Sequence, residues 1–144
     1  MLSRRFASPS DVEFLWHLTV AAMRSYVEAT YGWNETDQRR RFEETFRLDR
    51  IEILEKDGTR IGLWEVYKDR SPWFLARVAI LPEHQRYGFG TKLVQDFLAE
   101  AAAHREAVVL QVLRVNPAKA LYERLGFVVD EETATHFRMR KEPN

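Results

Sequence analysis

Two stretches of this 144-residue chain place residues where they could do chemistry. The first is Gln85-Arg86-Tyr87-Gly88-Phe89-Gly90-Thr91, with Lys92 directly after it. Glycines let a backbone pass close to a ligand and turn sharply. Where such a turn opens a helix, the first amides lack an intrahelical acceptor and the helix dipole favours an anion. Arg86 and Lys92 add positive charge, so the natural guest is a diphosphate. Two familiar versions of that site are excluded. The dinucleotide fingerprint wants a third glycine where Leu93 stands, with an acidic residue downstream. The P-loop wants four residues between its first glycine and its Gly-Lys pair, which Gly88-Phe89-Gly90-Thr91-Lys92 lacks. Taken alone, the segment is also compatible with a plain tight connection between strand and helix.

The second stretch is Asn116-Pro117-Ala118-Lys119-Ala120-Leu121-Tyr122-Glu123-Arg124-Leu125-Gly126-Phe127. Asn116 suits a helix cap, Ala118 and Leu121 are spaced to pack inward, and Tyr122 follows six residues after the cap. Other chemistries are absent. There is no cysteine, which removes disulfides, thiolate metal sites and a cysteine nucleophile. His17, His84, His104 and His136 show no ligand spacing and no HExxH pattern, so no metal is expected. Twenty-two basic residues balance twenty-two acidic ones, which speaks against a general nucleic-acid binder. No apolar run reaches the roughly 18 residues of a membrane helix, and Met1 to Arg5 leads into no signal-peptide core. A cytoplasmic protein without membrane partners is expected.

The elements that must position these stretches follow from periodicity. Leu2 to Phe6 reads as a first strand. Ser8-Pro9-Ser10-Asp11 reads as a helix start, with Ser8 as cap and Asp11 three residues later. Phe14, Leu15, Leu18, Ala21, Ala22 and Tyr26 then recur at helical spacing. Asn34 to Asp37 opens a second, charged helix with Phe42 and Phe46 four apart. From Ile51 the period becomes two, and Asp57-Gly58 supplies a hairpin turn before a strand from Arg60 to Tyr67. Trp73 to Leu81 is almost wholly apolar, as for a strand covered on both faces. Gly88 to His104 is an amphipathic helix and Val108 to Leu113 another strand, which implies a parallel pair with a crossover. Asn116 to Leu125 is a short helix closed by Gly126. Phe127 to Val129 and Thr135 to Met139 complete the sheet. The class is α/β (α+β) with a mixed sheet.

The Q-x-x-G-x-G turn followed by N-x-x-A-x-x-L-Y-x-x-x-G-F resembles the GCN5-related N-acetyltransferase (GNAT) superfamily, specifically over residues 73 to 130. The resemblance implies one domain over residues 1–144. It implies a mainly antiparallel sheet with helices on both faces and a parallel strand pair splayed around acetyl-coenzyme A. It implies that Arg86, Tyr87, Gly88, Phe89, Gly90 and Thr91 cradle the cofactor's pyrophosphate, with Gln85 beside it. The backbone of Val78, Ala79 and Ile80 would pair with the pantetheine arm. Asn116 and Lys119 would flank the cofactor's far end, and Tyr122 would stand near the thioester sulfur.

An amine attacking a thioester expels a thiolate. A phenol, with an ordinary pKa of about 10, can share its proton with that leaving group as general acid. The attacking amine must be neutral, which calls for a base. Relatives often carry an acidic residue on the strand before the glycine turn; Phe74 to Leu81 has none. Glu28, in the aromatic segment Tyr26 to Trp33, is the first candidate base, with a solvated helix-end carboxylate as the alternative; Glu65 and His136 are further candidates. Tyr26, Tyr31, Trp33, Glu65 and His136 are candidate acceptor contacts, against the alternative of ordinary packing. The expected activity is direct transfer of an acetyl group to a primary amine of a small molecule or peptide. A non-catalytic acyl-coenzyme A binding module is the alternative, and a homodimer stays open.

Overall fold

The computed structural model describes residues 2–144, which pack as two compact units. Of the described residues, the first unit takes 2–65 and Arg77–Tyr87, the second Val66–Ala76 and Gly88–Asn144. Seven strands are ordered β1-β2-β3-β4-β5-β7-β6. They are β1 (Leu2–Phe6), β2 (Ile51–Lys56), β3 (Thr59–Tyr67), β4 (Trp73–Ile80), β5 (Val108–Leu113), β6 (Val128–Glu132) and β7 (His136–Lys141). The helices are α1 (Val12–Tyr31), α2 (Glu35–Thr45), α3 (Phe89–Ala103) and α4 (Ala118–Arg124). The expected class, a mixed and mainly antiparallel sheet with one parallel pair, is the one found.

In the first unit β1 runs antiparallel to β2, and β2 to β3 around the Asp57-Gly58 turn. The period of two puts Ile51, Ile53 and Leu63 on one face, where they bury against Leu15, Leu18, Phe42 and Leu81. The start of α1 is tied down by Asp11, which is 1% exposed. Its carboxylate accepts the Ser8 amide at 2.9 Å, as the cap pattern predicts, and two N–H groups of Arg5 at 2.8 and 3.0 Å. Arg60, on β3, adds a contact at 3.2 Å. Residues Pro9–Asp11 form a short 3-10 turn rather than the first turn of the helix proper.

In the second unit α3 buries the stripe Leu93, Val94, Phe97 and Ala101, and Trp73 stacks on Phe97 at 5.7 Å. β5 buries Val108, Leu110 and Val112 by alternation and pairs along its length with antiparallel β7. Its parallel pairing with β4 covers only Trp73↔Val108 and Phe74↔Val109. Consequently β4 departs from the expectation of a strand covered on both faces: Trp73 and Leu75 are buried, whereas residues 76–79 are half-buried.

Candidate functional site

The glycine turn is built in two steps. After β4 the chain makes a 3-10 turn, Pro82–Tyr87, and Gly88 then takes a left-handed conformation, φ 77° and ψ 11°, before α3 begins at Phe89. A Cβ at Gly88 would meet nothing within 4 Å, so glycine is required here by its dihedral angle and not by crowding. The first turn of α3 closes with Lys92 N–H donating to the Gly88 carbonyl at 3.0 Å. Helix geometry leaves the Gly90 and Thr91 amides without an intrahelical acceptor, at the positive end of the dipole. Arg86 is exposed, with no partner among the described residues. Lys92 is exposed and paired to Asp96 at 2.7 Å. Tyr87 is 65% exposed, beneath the Lys56 ammonium at 5.1 Å from its ring. Gln85 turns back and donates to the Ile80 carbonyl at 2.9 Å, which pins the end of β4. In the second unit the unpaired amides and the open face at Gly88 suit an anion.

Val78, Ala79 and Ile80 lie on the part of β4 that belongs to the first unit. A Cβ on Gly62 would collide with the Ala79 carbonyl oxygen, so β3 can approach this strand only without a side chain there.

In the second unit the Asn116 side chain accepts the Ala118 amide at 2.9 Å and starts α4. The helix ends in a Schellman motif. Phe127 N–H reaches the Tyr122 carbonyl at 3.0 Å and Gly126 N–H the Glu123 carbonyl at 3.0 Å, with Gly126 at φ 101°. That motif brings the residue after the glycine against the third residue from the helix end. Here these are Phe127 and Tyr122, ring to ring at 5.7 Å and edge-on. The spacing Tyr-x-x-x-Gly-Phe is thus a device for holding one ring. Tyr122 is 9% exposed, and burial pushes its phenol up to about 12, so it keeps its proton at neutral pH. Its hydroxyl hydrogen-bonds none of the described residues. Lys119 reaches Glu123 at 3.4 Å and lies 4.8 Å from the Phe137 ring. His136, on β7, contacts the Thr135 hydroxyl through Nδ1 at 2.8 Å.

The remaining predicted residues belong to the first unit. Tyr26 is half-buried and Tyr31 exposed at the end of α1. Glu28 is 56% exposed and paired with Arg24 one helical turn earlier at 3.3 Å, which is the arrangement of a solvated helix-end carboxylate. Trp33 is drawn into a row of rings that periodicity does not announce. It stacks on Trp16 at 6.2 Å, Trp16 meets Phe42 at 5.4 Å, and Phe42 meets Phe46 at 4.3 Å. Arg77 closes the row, its guanidinium 4.1 Å from the Phe46 ring centre. Arg77 also donates through Nη1 to Glu65 Oε1 at 2.9 Å, and the Glu65 side chain is 3% exposed. Trp33 and Glu65, expected separately, are therefore the two ends of one connected set. Arg77 was missed by sequence reasoning, which searched this strand for an acid. The signal was there: it is the single charged residue between Phe74 and Leu81. Among the described residues no His/Asp/Glu cluster could hold a metal, and no helix is long and apolar enough to cross a membrane.

A profile of the acetyltransferase (GNAT) domain matches residues 47–129. The structure is similar to that of the PaiA N-acetyltransferase from Thermoplasma acidophilum in complex with coenzyme A (TM-score 0.78, 19% identity, 99% of each chain). It is also similar to an acetyltransferase from Thermus thermophilus (0.74, 18%, 99% of this chain and 97% of that one). A third likeness is to the ribosomal-protein-S18-alanine N-acetyltransferase from Escherichia coli (0.70, 20%, 100% and 95%). At these identities the likeness is one of fold. No curated protein matches.

Proposed function

We propose, since the chain belongs to the acetyltransferase (GNAT) domain family, that it transfers an acetyl group from acetyl-coenzyme A directly to a primary amine. One observation carries the reading: the family match runs unbroken through β4, the glycine turn and the helix of Tyr122. The donor supplies an acetyl group activated as a thioester.

In the second unit the Gly88 turn with the Gly90 and Thr91 amides would hold the diphosphate, and the dipole of α3 would offset part of its charge. Phe89 begins that helix, and Asn116 and Lys119 hold and charge the start of α4. In the first unit Arg86 adds a positive charge and Tyr87 an exposed ring. The free edge of Val78, Ala79 and Ile80 would take an extended arm as a further strand, with Gln85 acting through its bond to Ile80. The β4 amides would polarise the acetyl carbonyl. Tyr122 would supply a proton to the departing sulfur, since burial keeps its phenol protonated. Glu28, open to solvent, is the group proposed to receive the amine's proton through water. Tyr26, Tyr31, Trp33, Glu65 and His136 are proposed to shape or support the acceptor side.

Calorimetry with acetyl-coenzyme A and thiol release over a panel of amines test the reading. Binding with transfer is the expected result. Binding without transfer to any amine would turn the protein into a cofactor-binding module, and no binding would overturn the donor assignment. In Glu28→Gln, activity should fall near neutral pH and recover at high pH; an unchanged pH profile removes Glu28 as base.

A further inference from the structure

Arg77 is held more firmly than its place on an open strand requires. Its guanidinium lies on the Phe46 ring at 4.1 Å and gives one N–H to the Glu65 carboxylate at 2.9 Å. Glu65 is 3% exposed on the side chain, whereas Arg77 is 35% exposed. The pair is thus a dipole with its negative end inside the unit and its positive end toward solvent. A guanidinium carries five N–H donors in a rigid fork, and among the described residues only Glu65 hydrogen-bonds to this one. The ring beneath and the carboxylate at one edge fix its plane, so its remaining donors are aimed before any ligand arrives. A preoriented fork of this kind matches a carboxylate with two parallel hydrogen bonds. Arg77 also directly precedes Val78, Ala79 and Ile80, the strand segment proposed above for the thioester arm.

We propose that Arg77 selects the acceptor: the amine acetylated by this protein carries a carboxylate, which the free edge of Arg77 binds. Phe46 and Glu65 are positioning residues that act through Arg77. The inference rests on the acetyltransfer reading and narrows its substrate class to amino acids or to peptides with a free carboxyl end.

The test is a panel of amino acids and short peptides, each supplied as the free acid and as its carboxamide, with acetyl-coenzyme A and thiol release as readout. The wild type should favour acid over amide about tenfold or more in kcat/KM, mainly through KM. In the paired variant Arg77→Gln/Glu65→Gln, which leaves no buried charge unpaired, that ratio should fall toward one. Arg77→Lys, which keeps the charge and loses the fork, should give an intermediate ratio. A purely structural pair would change stability or overall rate and leave the ratio intact. Transfer with a wild-type ratio near one, or a ratio that survives in the paired variant, overturns the proposal alone. Thiol release with no member of either series overturns the acetyltransfer reading and this proposal with it.

Discussion

The two units reach their arrangements by different routes. In the second, the parts that matter are fixed by residues a few positions apart. Asn116 caps the helix two residues on, and Gly126 and Phe127 close it against Tyr122. Gly88 turns the chain directly into α3. In the first unit the contacts are distant in the chain: Asp11 with Arg60, Glu65 with Arg77, and Phe46 with Arg77. Short-range hydrogen bonds recur in one geometry whenever the residue types recur, so they leave a pattern in the chain. Long-range ion pairs and ring contacts form only once strands and helices have packed. The lesson is that a motif reports on the turn or cap it encloses and is silent about partners far along the chain.

Substitutions can break or sharpen that contrast. The largest effect is expected at Tyr122, the locally held ring. Tyr122→Phe should lower kcat by on the order of 100-fold or more, with donor affinity and melting temperature nearly unchanged because the hydroxyl has no partner among the described residues. Steady-state kinetics with calorimetry check this; undiminished turnover would remove Tyr122 from the chemistry. The same residue sets an alkaline limit. A phenol whose folded pKa lies near 12 rather than about 10 disfavours the folded state once the unfolded chain ionises. Stability should therefore decline between about pH 10 and 12, and less so in Tyr122→Phe.

Next comes Gly62→Ala, which tests the long-range side. The new methyl meets the Ala79 backbone carbonyl, which cannot swing away as a side chain would, so a loss of about 3 kcal/mol is expected in urea unfolding. Asp11→Ala should cost about 2 kcal/mol, through the lost cap and ion pairs. Its carboxyl is held below the ordinary carboxylate range, first by Arg5. The stability it contributes is thus fully present above about pH 4 and is lost as the pH falls further. Urea midpoints at pH 6 and pH 3 should differ less in the variant than in the wild type. The smallest effect is Asn116→Ala, a single exchange of a local cap worth about 1 kcal/mol. A loss in Asn116→Ala as large as in Gly62→Ala would dissolve the distinction between the units.

Much of the fold was legible before any coordinates. β1, the capped start of α2, the Asp57-Gly58 hairpin, the stripe of α3 and the Gly126 stop all stand where the residue pattern puts them, whereas α1 begins one 3-10 turn later than its cap pattern implies. Boundaries moved where a motif consumed a residue. Phe127, expected to begin a strand, is spent on the closure of α4, and β6 starts at Val128. Of the candidate site, the glycine turn and Tyr122 were legible because each is encoded within a dozen residues. Trp33 and Glu65 were named without their connection, and Arg77 was passed over, because nothing local to any of them specifies a partner.

The chain by itself determined the caps of α2 and α4, the Gly126 stop, the hairpin, and the two motifs, since each depends on hydrogen bonds closed within one or two turns of backbone. Tertiary structure alone decided that β7 lies between β5 and β6, that β3 needs a glycine opposite Ala79, and that a buried carboxylate on one strand aims an arginine on the next. Those outcomes depend on which surfaces exclude water together, and residues far apart in the chain acquire that relation only on folding.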